Sequence, residues 1–204
     1  MFQPFPKIAR LSREMVITEK LDGTNGAVAI RRIQPEQRET IPAESWFVSG
    51  PDGEYAMWAQ SKSRIIAPVE LSGDKTSDNY GFAAWAFANR YALLDLGEGV
   101  HFGEWWGQGI QRNYGLREKR WSLFNVERWV VKHAPPPCCH VVPVLHRGQF
   151  SDAAVAAAMD RLLAYGSVAV PGYGNPEGVI VFHTAARVML KKTFEKDDAG
   201  KEAA

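Results

Sequence analysis

Short runs of alternating apolar and polar residues separated by turn signals recur along the chain, and a period of two marks strands. The first run, Met15-Val16-Ile17-Thr18, is apolar and β-branched, and it predicts a strand that ends near Lys20. Gly26–Ile33 alternates small and apolar positions before Arg31-Arg32, as an exposed strand does. Gln34–Glu44, with two prolines, reads as a loop. Trp46–Ser49 and Tyr55–Gln60 flank Gly-Pro-Asp-Gly-Glu, a hairpin signal. Apolar residues near helical spacing (Phe82, Trp85, Ala86, Leu93, Leu94) predict a helix over Asn79–Leu96.

Four strands are then predicted at His101–Trp106, Trp121–Glu127, His140–Leu145 and Val179–Phe182, with a proline-rich turn at 135–137 before the third. Ser151 is placed to cap a helix over Asp152–Tyr165. Gly172-Tyr-Gly-Asn-Pro reads as a loop, and a last strand covers Val188–Phe194. Strands dominate and regular βαβ alternation is missing. The fold class is therefore α+β with mostly antiparallel sheets. Residues 1–195 read as one domain, and 196–204 as a polar tail.

Composition narrows the partners. The 204 residues are 46% hydrophobic and 23% charged, which suits one well-buried domain. A formal net charge of +1 excludes general polyanion binding, so nucleic acid must be held by a local patch. Arg112–Lys132, with Arg117, Lys119, Arg120 and Arg128, is either such a patch or a solvated loop. Cys138 and Cys139 are adjacent and supply neither a disulfide framework nor metal-ligand spacing, which fits a reducing cytoplasm. No secretory signal pattern opens the chain, and no apolar run approaches membrane-spanning length. No phosphate-binding Gly-x-x-x-x-Gly-Lys-Ser/Thr loop is present, which disfavours a P-loop enzyme.

The candidate chemistry begins at Glu19-Lys20-Leu-Asp22-Gly-Thr-Asn25-Gly. A lysine at the end of a strand can attack phosphorus and carry the product as a nitrogen–phosphorus adduct. Taken alone, Lys-x-Asp-Gly is more often a solvated turn. Four islands follow it in order: Ser61-Lys-Ser-Arg64, the run from Phe102-Gly-Glu104 to Ile-Gln-Arg112-Asn113-Tyr, Trp121-Ser-Leu-Phe124-Asn, and Glu177-Gly-Val-Ile-Val with Leu190-Lys191-Lys192-Thr behind it.

Together these motifs resemble the covalent nucleotidyltransferase superfamily of DNA ligases and capping enzymes. Within it they are similar to ATP-dependent RNA ligases of the RNA ligase 2 type found in T4-like phages. The resemblance runs from Glu19 to Lys191 in the family's order and includes Pro143-x-Leu-x-Arg-Gly-x-Phe150. It implies a ligase-type nucleotidyltransferase (ATP-grasp-like) core, two antiparallel sheets with flanking helices and an ATP cleft.

The chemistry so implied has three steps: self-adenylylation by ATP, AMP transfer to an RNA 5′-phosphate, and attack by a 3′-hydroxyl. Lys20 is the implied nucleophile. A lysine of ordinary basicity is almost wholly protonated at neutral pH, so a cationic neighbourhood or a divalent metal must favour the free amine. By the resemblance Glu104, Glu177 and Asp22 are acids at a Mg²⁺ (or Mn²⁺) ion, with Glu104 also at the ribose. Arg64 and Lys191 hold the phosphate, Phe124 stacks on adenine, Glu19 reads the base and Asn25 lies near the phosphates.

Two departures stand out. The RNA ligase 2 type carries histidine where this chain has Asp22, although aspartate is common elsewhere in the superfamily. The family also alternates two lysines on one strand face, whereas Lys191 and Lys192 are adjacent and must point oppositely. Lys191 is the chosen one.

The partners implied are RNA ends or nicked RNA, acted on by a monomer in the cytoplasm (the host's, if phage-encoded), with no membrane. Family members usually add a C-terminal nucleic-acid-binding domain. No such domain is expected here, and an accessory protein is expected to replace it. A DNA ligase, a capping guanylyltransferase and a catalytically silent nucleotide-binding module are the alternatives.

Overall fold

A computed structural model describes residues 2–195; the tail predicted for 196–204 lies outside the described residues. The chain forms two compact units. One takes the chain through Leu21 and again from Val142, and the other runs from Asp22 to Val141. In chain order the strands are β1 (Glu14–Lys20), β2 (Thr24–Ile33), β3 (Trp46–Gly50), β4 (Gly53–Gln60), β5 (Ile65–Ile66), β6 (Gly99–Gly107), β7 (Lys119–Leu123), β8 (His140–Val141), β9 (Val144–Gln149), β10 (Gly178–His183) and β11 (Val188–Thr193). The helices are α1 (Val69–Ser72), α2 (Phe82–Ala88), α3 (Arg90–Leu93) and α4 (Asp152–Tyr165).

In the discontinuous unit the sheet order is β11-β10-β1-β9, antiparallel throughout. Alternation along β1 sends Met15 and Ile17 to one face. There they meet Val179 and Val181 of β10 and Ala158, Met159 and Leu162 of α4. Leu162 is fully buried, so truncating it to alanine costs about 2–5 kcal/mol. The other face of β1 carries Thr18 and Lys20, both half-buried.

The continuous unit has the order β3-β4-β2-β6-β7-β8, with β5 added to β4. Its pairings are antiparallel except for β7 with β8. One sheet face packs on α2 through an aromatic cluster: Phe82 and Trp85 lie 5.2–5.8 Å, centroid to centroid, from each other, Trp105 or Trp121. Trp121 Nε1 donates to the Gly26 carbonyl at 3.1 Å, so its polar edge is satisfied inside the core. Among the described residues no helix is long and apolar enough to cross a membrane.

The α+β class, the hairpin and the bounds of α4 are as the sequence predicts. Five local expectations need correction. The helix expected over Asn79–Leu96 breaks at Asn89, whose backbone leaves helical geometry (φ −95°, ψ 11°) while its amide and its Nδ2 both donate to the Trp85 carbonyl. It also starts late, because Tyr80 and Gly81 have positive φ and Asp78 caps it through the Ala83 and Ala84 amides at 2.7 and 3.0 Å.

The strand expected over His140–Leu145 splits at Pro143, which cannot donate to a ladder; β8 and β9 fall in different sheets. The strand expected to reach Glu127 stops at Leu123, and Glu127–Lys132 forms a π-helical turn instead. The 34–44 loop contains a 3₁₀ helix, Pro35–Thr40. Ser151 does precede α4, but its side chain makes no capping bond.

Candidate active site

Lys20 closes β1, and its Nζ lies 2.6 Å from Glu177 Oε2, with side-chain exposures of 21% and 18%. The register explains this contact. Lys20 stands opposite Gly178 at the start of β10, and Glu177 is the residue before it. Gly178 has φ +148, and a Cβ there would overlap the Lys192 carbonyl oxygen, so the strand can begin this way only with glycine.

The same register separates the two adjacent lysines. Lys191 pairs with Ile180 and Ile180 with Thr18; directly opposed residues share a face, so Lys191 shares the face of Thr18 and Lys20. Lys192 pairs with Val179, which opposes Glu19, and belongs to the other face. Both lysines are exposed.

Glu19 is buried, at 1% exposure. Its carboxylate accepts from Ser167 Oγ at 2.5 Å and from the amides of Val168 and Ala169 at 2.8 and 2.9 Å. These donors lie in the loop between α4 and β10, on the face of β1 opposite Lys20.

In the other unit, a second group of predicted residues gathers around the turn after Lys20. Asp22 Oδ2 pairs with Arg112 Nε at 3.0 Å, and its amide donates to Tyr114 Oη at 2.9 Å. The Gly23 amide donates to Glu104 Oε1 at 3.1 Å. A Cβ on Gly23 would collide with the Trp105 carbonyl oxygen and lie 2.7 Å from Trp106 Cβ, so glycine lets the turn lie against β6.

Glu104 opposes Asn25 on β2 and Ser122 on β7, which sets the three side chains on one sheet face. Phe102, two residues before Glu104, is 51% exposed on that face. Phe124 follows β7, is half-buried and donates its amide to the Phe102 carbonyl at 3.0 Å. Trp106 closes the group: its Nε1 donates to Ser122 Oγ at 2.9 Å, and its ring meets Tyr114 edge-on at 4.8 Å.

Arg112 and Tyr114 come from a loop of unusual backbone. Gln111, Asn113 and Tyr114 have φ of 44°, 60° and 52°, alongside Gly107, Gly109 and Gly115 at positive φ. Non-glycine residues in that region are uncommon and cluster at functional sites. The motif containing Arg112 was visible in the sequence, but its pairing with Asp22 was not. Nor were the Tyr114 hydroxyl acceptor or Ser167, because each partner lies far away along the chain.

Arg64 is exposed, and its guanidinium donates to the carbonyls of Thr76, Ser77 and Asp78 at 3.0–3.3 Å, so it braces that loop. Much of the basic stretch is also engaged internally. Lys119 Nζ donates to the Tyr80 carbonyl at 2.7 Å, Arg120 pairs with Glu118 at 2.7 Å, and Arg128 donates to the Leu96 carbonyl and stacks over Trp129.

Among the described residues no three acidic, histidine or cysteine side chains converge as a full metal cage. A hard divalent cation needs only one or two carboxylates when phosphate oxygens and water complete its shell. Glu177, partly exposed beside Lys20, has the donor chemistry for that role in its unit, and Glu104 has it in the other.

Residues 13–195 match the RNA ligase family. No curated protein gives a match. Among solved structures, a variant of a Naegleria gruberi RNA ligase with ATP and Mn superposes with a TM-score of 0.57 at 15% identity, covering 91% of this chain and 51% of that one. An apo variant gives 0.55 at 17% identity, covering 90% and 50%; another with ATP and Mn gives 0.52 at 14%, covering 89% and 49%. At these identities the likeness is one of fold. The chain spans about half the length of the solved structures it matches.

Proposed function

The chain belongs to the RNA ligase family, and on that premise we propose that it is an ATP-dependent RNA ligase of the RNA ligase 2 type, working through a lysine–AMP adduct at Lys20. The observation that carries the reading is Lys20 Nζ at the end of β1, 2.6 Å from Glu177 Oε2, with Lys191 on the same sheet face. The ATP and Mn bound in the Naegleria structures support the choice of nucleotide and of a divalent ion.

In the first step Lys20 Nζ, as free amine, attacks the α-phosphorus of ATP. A nitrogen–phosphorus bond forms, the bond from that phosphorus to the bridging oxygen breaks, and pyrophosphate leaves. Glu177 Oε2 holds the nitrogen at the strand end and is within reach of the proton that it sheds. Lys191 supplies positive charge where the phosphoryl group gains negative charge. A bound Mg²⁺ or Mn²⁺ would neutralise phosphate oxygens; Glu177, beside Lys20, is the carboxylate that would hold it in that unit, and Glu104 is the acid that the other unit offers a cation.

In the second step an RNA 5′-phosphate oxygen attacks the adduct phosphorus, and Lys20 leaves. In the third a 3′-hydroxyl attacks the activated 5′-phosphorus; the phosphodiester forms and AMP departs. The RNA ends are the proposed partner. A protein that supplies further RNA contacts belongs to the same reading, since so much of the basic stretch is engaged within its own unit.

The test is intact mass before and after incubation with ATP and MgCl₂, with GTP in a parallel reaction. The expected result is a gain of one AMP that acid removes, absent in Lys20→Ala and absent with GTP. Equal labelling of Lys20→Ala would sink the proposal. Sealing assays on nicked RNA, DNA and hybrid duplexes then identify the substrate.

A further inference from the structure

The Glu19 carboxylate is the centre of a closed loop. Ser167 Oγ, which donates to it, also accepts the Val170 amide at 3.1 Å. The Ser167 amide donates to the Tyr173 carbonyl at 2.8 Å, and the Tyr173 amide to the Val170 carbonyl at 3.0 Å. The loop opens at Gly166, φ +78, where a Cβ would overlap the Tyr173 carbonyl oxygen. Glu19 is held through its backbone as well, because its amide donates to the Pro143 carbonyl at 2.9 Å. It is therefore tied down by main chain on one side and by three donors on the other.

We propose that Glu19 and Ser167 form a positioning pair that aims Lys20, and that the Glu19 carboxylate does not read the nucleotide base. Side chains alternate along a strand, so fixing the rotation of Glu19 fixes the direction of Lys20 on the opposite face. A nucleophile tolerates little error in aim, since a displacement of about 1 Å can cost about a hundredfold in rate. To contact a base, the carboxylate would have to release three donors inside a buried loop and orphan them. This inference rests on the adenylylation reading above.

The experiment compares the parent chain with Glu19→Gln and Ser167→Ala. Glutamine presents one acceptor oxygen where three donors converge, and alanine removes the hydroxyl while leaving Glu19 intact. Hydrogen exchange at the Val168, Ala169 and Val170 amides is read first, and both variants are expected to exchange about tenfold faster or more at these amides. AMP attachment is then followed with ATP and with inosine triphosphate, which lacks the exocyclic amine of adenine. Both variants are expected to lose about tenfold or more in maximal rate, with half-saturation and the ATP-to-inosine preference within about threefold of the parent.

Unchanged exchange in Glu19→Gln overturns the proposal. So does a collapse of the ATP preference in Glu19→Gln that Ser167→Ala does not share, because that marks a base reader. A parent chain that gains no AMP ends the ligase reading and this inference with it; a labelled parent with a shifted base preference ends this inference alone.

Discussion

Lys20 and Glu177 are in contact, at 2.6 Å, across 157 residues of sequence. The pair depends on the antiparallel register of β1 and β10, and on a glycine opposite Lys20 whose missing Cβ lets β10 start against the Lys192 carbonyl of β11. Glu177→Gln keeps the shape and removes the charge. It is expected to slow AMP attachment by about 10²–10³-fold, the usual cost of losing one preorganised electrostatic group. Melting should move only a few degrees, since a partly exposed pair contributes about 1 kcal/mol. Single-turnover labelling and a thermal melt check both.

Lys191 and Lys192 offer a matched comparison within one strand. Only Lys191 shares a sheet face with Lys20. Lys191→Ala is expected to lower the labelling rate by about a hundredfold, and Lys192→Ala by no more than about threefold. The reverse order would mean that the strand register differs in solution.

Tyr114→Phe removes the oxygen that accepts the Asp22 amide while keeping the ring against Trp106. Losing the acceptor for a part-buried amide costs about 1–2 kcal/mol, which lowers the melting temperature by about 2–8 °C at this chain length. Calorimetry of the two proteins tests it.

Gly23→Ala is expected to be worse. The new methyl meets the Trp105 backbone carbonyl and the Trp106 Cβ, neither of which is the yielding tip of a long side chain. Overpacking of this kind costs about 1–3 kcal/mol, and here it also displaces the turn that follows Lys20. A loss of labelling larger than the loss of stability would separate the two effects, measured at a temperature where both chains are folded.

Acid should weaken the fold through His101. Burial holds its pKa below the ordinary 6.5; a hydrogen bond to the Gly97 carbonyl opposes the shift, and Arg128 adds to it. Burial and Arg120 lower His140 as well, against Glu118. With the folded value depressed, the unfolded chain binds the proton first. Stability is therefore full above about pH 6.5 and is lost as pH falls from there through the lower folded value. Denaturant titrations at about pH 7.5 and about pH 5.5 should differ, and by less in His101→Gln.

The sequence made the strands, the hairpin and α4 legible because their patterning is local. It made the order of motifs legible too, and with it Lys20 and Glu177 as residues of interest. What it could not reveal are pairings set by register and by distant loops. Nothing near Glu19 signals Ser167, 148 residues away, and Asp22 gives no sign of Arg112. Two errors have a common origin: Asn89 and Pro143 each interrupt a periodic run with a single residue whose backbone chemistry overrides its neighbours. Arg64 shows the converse. Its motif stands out in sequence, yet the guanidinium is drawn into three carbonyls of a neighbouring loop, a demand that only the folded chain makes visible.

The unit that holds Lys20 is assembled from both ends of the described chain, with β1 sandwiched between β9 and β10. During synthesis the strand bearing the amine emerges first and waits, unpaired on both edges, while some 120 intervening residues (22–141) are made. Glu177 reaches the ribosome exit later still. A nascent chain therefore lacks the Lys20–Glu177 contact on which the proposed capture of a nucleotide depends, and that contact can form only as translation nears the last of these strands.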